Sequence, residues 1–168
     1  VADLNGHSVH LLTRQPMKAD HPAWSPDGSR LTFTAQDGTH HELFIVDADG
    51  TNLVQLTRNS GDNFYPTWSP DGQRLAFASD RGGIFNRHAW ESATGRIRQV
   101  TNVDLGAFQP DVSPDGRTIV FVSYSRAGYD LAALPLDEGT WLDPFPPPPV
   151  PPLGANPPAP EARRVVRL

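Results

Sequence analysis

The tetrapeptide Ser-Pro-Asp-Gly occurs three times, at 25–28, 69–72 and 113–116, each copy 44 residues after the one before. Thr13, Thr57 and Thr101 keep the same step, each closing an apolar stretch such as Leu53-Val54-Gln55-Leu56 or Ile97-Arg98-Gln99-Val100. A fixed period of this size marks a repeat architecture, in which one small unit cannot bury its apolar face alone and stacks on its neighbours. Short strands and tight turns within each unit predict an all-β chain, a β-propeller built of four-stranded antiparallel blades.

The first complete unit shows why. Ala23-Trp24-Ser25 reads as a short strand entering the Ser25-Pro26-Asp27-Gly28 turn, where proline presets φ and glycine accepts positive φ. Arg30 to Ala35 alternates apolar and polar residues, the period-2 sign of a half-buried strand. Glu42 to Val46 reads as a central strand, and Leu53 to Thr57 as the fourth. In the second unit Trp68 matches Trp24, and Leu75 and Phe77 match Leu31 and Phe33; its third strand, Phe85 to Trp90, carries Asn86, Arg87 and His88 in place of apolar residues. The third unit has Val112 in the tryptophan position, Tyr129 to Leu134 as its third strand and no evident fourth.

The expected organisation is a partial propeller over 1–140, with a lone strand at 8–13, blades at 22–57, 65–101 and 108–136, and a disordered proline-rich linker at 141–168. Residues 144–160 hold ten prolines in seventeen positions, a composition that favours extended polyproline II. A closed propeller needs at least four blades. The three counted here, together with a start at Val1 that has no signal peptide, read as a segment of a longer protein.

Ser25 to Phe33 and Ser69 to Phe77, each preceded by tryptophan, resemble the WD40-like PD40 β-propeller repeat of TolB-like and tricorn-type propellers. Ser79-Asp80-Arg81-Gly82, Asp47 to Leu53 and the Leu-Thr or Val-Thr endings fit the same pattern, over about residues 1–140. The resemblance implies a propeller in a bacterial extracytoplasmic or periplasmic protein. It implies little about chemistry, because the motif residues build turns and cores.

The residues themselves point away from catalysis. Asp27, Asp71 and Asp115 fall in equivalent turns of different blades and read, with Gly28, Gly72 and Gly116, as turn-builders capping their own backbone. Asp47-Ala48-Asp49-Gly50 opens like a calcium loop, but Asn52 and Arg58 stand where an EF-hand needs glycine and glutamate. His40 and His41, adjacent on a strand, point to opposite faces. No Gly-x-Ser-x-Gly nucleophile elbow occurs. No catalytic residue, metal or cofactor is therefore expected. A net charge of −5 disfavours nucleic acid, and no apolar run suits a membrane helix.

A contact surface is the remaining expectation. Loops between blades line one rim, and function concentrates on loops held by a rigid scaffold. Phe64, Tyr65, Asn86, Arg87, His88 and Trp90 are its candidate residues, with inter-blade packing of Tyr65 and Phe108 as the competing reading. The leading expectation is a non-enzymatic module binding protein partners or further domains of its own chain. The alternatives are the substrate-gating propeller of a larger serine peptidase and a spacer before an outer-membrane barrel.

Overall fold

The computed structural model describes residues 11–13, 17–58 and 61–143. Among the described residues, eleven strands form three separate antiparallel sheets. Blade 1 contains β1 (Ala19–Trp24), β2 (Arg30–Asp37), β3 (His40–Asp47) and β4 (Val54–Gln55), side by side in chain order. Blade 2 repeats this with β5 (Asn63–Trp68), β6 (Arg74–Ser79), β7 (Asn86–Glu91) and β8 (Ile97–Gln99). Blade 3 has three strands, β9 (Ala107–Val112), β10 (Thr118–Ser125) and β11 (Gly128–Pro135). The predicted blades are present, with each first strand beginning a few residues before Trp24, Trp68 or Val112. The proline-rich segment and residues 8–10 of the predicted lone strand lie outside the described residues; residues 11–13 form no strand.

Residues that keep the 44-residue step build turns and tie strands together. The hydroxyls of Thr57 and Thr101 accept the backbone N–H of Leu43 and of Arg87, both at 2.9 Å, tying the outer edge of a blade to its third strand. In the three turns, Asp27, Asp71 and Asp115 accept from the hydroxyls of Ser25, Ser69 and Ser113 and from the backbone N–H two residues further on, at 3.0 Å each. These bonds, that from the Ser25 hydroxyl foremost, hold the exposed Asp27 carboxyl down to about 2. Gly28, Gly72 and Gly116 have φ of 68°, 67° and 70°, a region costly for residues with a Cβ. The turns also touch: a Cβ on Gly72 would meet the Pro26 ring at 3.8 Å, and one on Gly116 the Pro70 ring at the same distance.

The blades stack face to face. Between blades 1 and 2 the core is Leu43, Ile45, Trp68, Leu75 and Phe77, flanked by Ala23, Leu56, Trp90 and Ile97. Beside it lies a buried polar group. Glu42 Oε2 accepts from Thr57 Oγ1 at 2.5 Å and from Asn63 Nδ2 at 3.0 Å, and Arg81 donates to Asn63 Oδ1 at 3.1 Å. Burial lowers the Arg81 guanidinium to about 10, against the opposing pull of Glu42 and Asp80.

Between blades 2 and 3 the same positions carry smaller side chains. Val112 stands for Trp68, Leu134 for Trp90 and Ala89 for Ile45. A cavity of about 220 Å³ remains, lined among others by Ala76, Ala89, Val100, Val112 and Ile119. The chain after β11 partly fills it. Instead of adding a fourth strand to blade 3, residues 136–142 turn through a single 3-10 turn (Glu138–Thr140) and return to blade 2, where Leu142 and Gln99 exchange backbone bonds of 2.9 and 2.8 Å. Trp141 packs into the Ala76–Ile119 cluster, with Arg74 and Arg98 over its ring. The expected boundary at 140 thus falls one residue before a core side chain. The far face of blade 3 stays open, with Leu131 86% and Tyr129 73% exposed.

Candidate binding rim

The first strand of every blade carries the same irregularity. His21-Pro22, Tyr65-Pro66 and Gln109-Pro110 are each two residues opposing one, namely Phe33, Phe77 and Phe121. These are β-bulges, in which the extra residue escapes the ladder and the local twist increases. Proline fits there because a bulge needs no ladder donor. The residues before the prolines have φ of 50°, 56° and 48°, left-handed values for side chains that bear a Cβ. Such conformations cost roughly 1–3 kcal/mol each and persist where the surrounding structure over-determines them. They recur at the 44-residue step, so the fold imposes them.

The bulges gather rings along one rim. His21 meets Tyr65 edge-on with ring centres 4.3 Å apart. A second row runs from blade to blade: His41 to Phe64 at 4.6 Å, Phe64 to Phe85 at 6.1 Å and Phe85 to Phe108 at 5.2 Å. His41, Phe64, Phe85 and Phe108 are all only partly buried. Gly106 makes room for the row, since a Cβ there would lie 2.9 Å from the Phe108 ring. Tyr65, Phe108 and Gln109, with Val122 and Tyr129, line an open cavity of about 400 Å³. At the row's end Asp62 accepts the His41 backbone N–H at 2.8 Å and lies 3.2 Å from the ring's Nδ1.

The six residues expected at the rim separate into two groups. Phe64 and Tyr65 are there. Tyr65 also meets the competing reading, since it stands at the junction of blades 2 and 3. Asn86, Arg87 and His88 are buried, a correction to the expected contact surface. They lie on β7, whose neighbours β6 and β8 place it inside the sheet, and both faces of that sheet are covered by other blades. Asn86 Oδ1 accepts from Thr101 and from the Val103 backbone, both at 2.9 Å. His88 stacks on Phe77 at 5.7 Å, and burial, with Arg81 adding, drives its pKa down to about 3. Trp90 packs edge-on to Trp68 at 6.5 Å, also between blades 1 and 2.

His21, Phe85 and Gln109 are not singled out by the sequence, and His41 is weighed there only as a metal ligand. His21 and Gln109 carried a signal: with Tyr65 they keep the 44-residue step and each precedes a proline. Among the described residues no group of three or more His, Cys, Asp or Glu side chains is placed to hold a metal, and no helix is long and apolar enough to cross a membrane.

The comparisons with known proteins agree with this architecture. The Tol-Pal system protein TolB of Thioalkalivibrio sulfidiphilus is 36% identical over 50 residues, covering 30% of this chain and 12% of that protein. The crystal structure of TolB from Acinetobacter baumannii superposes with a TM-score of 0.71 at 25% identity, covering 85% of this chain and 37% of the other. The tricorn protease shares the fold, with a TM-score of 0.55 at 14% identity over 73% of this chain and 14% of its own. The chain therefore spans well under half the length of these relatives. The family described as PD40, TolB beta propeller domain, matches residues 1–142, and the chain belongs to it.

Proposed function

We propose that this chain is a non-enzymatic propeller module that binds protein partners through the aromatic rim, within a larger extracytoplasmic protein. The row of partly exposed rings His41, Phe64, Phe85 and Phe108 carries the reading. Aromatic side chains supply large contact area at low entropic cost and are enriched among residues that dominate interface energies. The similarity to TolB supports the extracytoplasmic setting.

The test is a binding comparison on the full chain. Proteins captured from a bacterial envelope extract by the wild-type chain are compared with those captured by Phe64→Ala/Phe108→Ala and by Trp24→Ala, an exposed aromatic away from the row. Loss of a saturable partner in the double variant with retention in Trp24→Ala is the expected result. Equal capture by all three would defeat the reading.

A further inference from the structure

Arg87 is the feature of the molecule that its packing leaves unanswered. It is fully buried on β7, and none of its three guanidinium nitrogens has a hydrogen-bond partner among the described residues. Its cation lies 5.7 Å over the Phe121 ring of blade 3. Charges enter protein interiors when paired, because desolvation otherwise opposes burial strongly. Burial holds this guanidinium down to about 9, with Tyr65 the one titratable group pulling the other way.

The repeat shows what is unusual here. In blade 1 the equivalent residue is Leu43, part of the apolar cluster facing blade 2. The neighbouring buried acid, Glu42, becomes Asn86 in blade 2, and its partners Asn63 and Arg81 become Ala107 and Ser125. The gap between blades 1 and 2 therefore holds a carboxylate beside a guanidinium, whereas the gap between blades 2 and 3 has the guanidinium and small neutral neighbours. The site adjoins an opening: Phe121, under the cation, opposes the Gln109-Pro110 bulge and precedes Val122, and Gln109 and Val122 line the open cavity of about 400 Å³ with Tyr65 and Phe108.

The geometry points to Arg87 as the receptor for a carboxylate group that enters past Tyr65 between blades 2 and 3. Guanidinium forks match carboxylate oxygens two-for-two, and a desolvated site strengthens such pairs. The carboxylate is carried either by a small free acid or by an acidic side chain of a peptide. The experiment separates the two.

Melting of the full chain is followed by circular dichroism in sodium acetate, sodium succinate, or N-acetylated and C-amidated tetraglutamate or tetraglutamine, each against sodium chloride at matched ionic strength. The wild-type chain is expected to show a saturable rise in Tm of about 3 °C or more with a carboxylate probe and none with tetraglutamine. Arg87→Leu, which installs the residue of blade 1, is expected to lose the response and to melt higher in chloride. A response to acetate or succinate identifies a free acid as sufficient; a response to tetraglutamate alone identifies a chain-borne carboxylate. No response to any carboxylate probe, or the same response in Arg87→Leu, overturns the assignment. Should Arg87→Leu misfold, Arg87→Lys keeps the charge without the fork, and its half-saturating concentration is expected to rise about tenfold or more. An unchanged midpoint in that variant also overturns it. The readout needs no protein partner, so its outcome is independent of the rim's role.

Discussion

The two gaps between blades are built on one backbone plan and filled by different means. Between blades 1 and 2, Leu43, Trp68, Leu75 and Phe77 interlock, and the buried Glu42 finds Thr57 and Asn63. Between blades 2 and 3, Val112, Ala89 and Leu134 leave space, a cation replaces Leu43, and Trp141 is brought in from beyond the repeat. Strand pairing and turns are equally regular on both sides. The propeller period is therefore a property of backbone and turn chemistry, and it tolerates wide variation in what occupies the space between sheets. That tolerance is where an individual chain can place a site.

Several substitutions would break or sharpen this contrast. The largest effect is expected from Phe77→Ala, which empties the tight gap and should cost about 4 kcal/mol in urea unfolding. The matching deletion in the loose gap, Trp141→Ala, should cost about 3 kcal/mol or less, because the site is already incompletely filled. Equal losses would contradict the difference in packing. Acid stability offers a second contrast through His88. Its folded pKa, about 3, lies below the ordinary value of 6.5. The unfolded chain therefore takes up a proton as pH falls through 6.5 while the folded chain does not, and stability falls until about pH 3. This loss is on the order of 5 kcal/mol. His88→Phe, copying Phe44 of blade 1, should flatten the Tm profile between pH 6.5 and 3.

Smaller effects test the filling directly. Val112→Trp places the blade 2 residue in the third blade, and should stabilise the chain by about 1 kcal/mol if the cavity accepts it. A loss instead would show that Trp141 already occupies that volume. The smallest expected change is at Asp27. Its carboxyl is held near 2, below its ordinary 3.8, so its contribution is present above about pH 4 and fades as pH falls toward 2. Asp27→Asn should lower Tm slightly at pH 7 and lessen the drop in Tm between about pH 4 and 2, leaving the two chains close at pH 2.

Much of the fold was legible because its signals are local and periodic. Gly28, Gly72 and Gly116 are needed where φ is positive, and Leu31-x-Phe33 with Leu75-x-Phe77 alternate as half-buried strands must. The fourth strand of blade 1 is shorter than Leu53 to Thr57 implied: the ladder covers Val54 and Gln55, with one further backbone bond from Leu56 to Leu43. The rim was half legible. Phe64 and Tyr65 stand out as aromatics in a loop-to-strand segment. Asn86, Arg87 and His88 looked exposed because polar residues on a strand usually face water. Here their burial depends on a neighbouring sheet more than twenty residues away in sequence, and no local pattern reports it. Trp141 was hidden for the same reason: its partners Val100 and Ile119 come from two different blades.

The return of residues 136–142 to blade 2 also decides how the molecule carries load. A pull applied through Asp143 acts first on the two Gln99–Leu142 hydrogen bonds and on the Trp141 ring clasped by Arg74 and Arg98, before it reaches the edge of blade 3. Tension is passed to the middle sheet and shared across two blades. The indole works as a buckle: while it stays seated, β11 is shielded from being peeled away strand by strand.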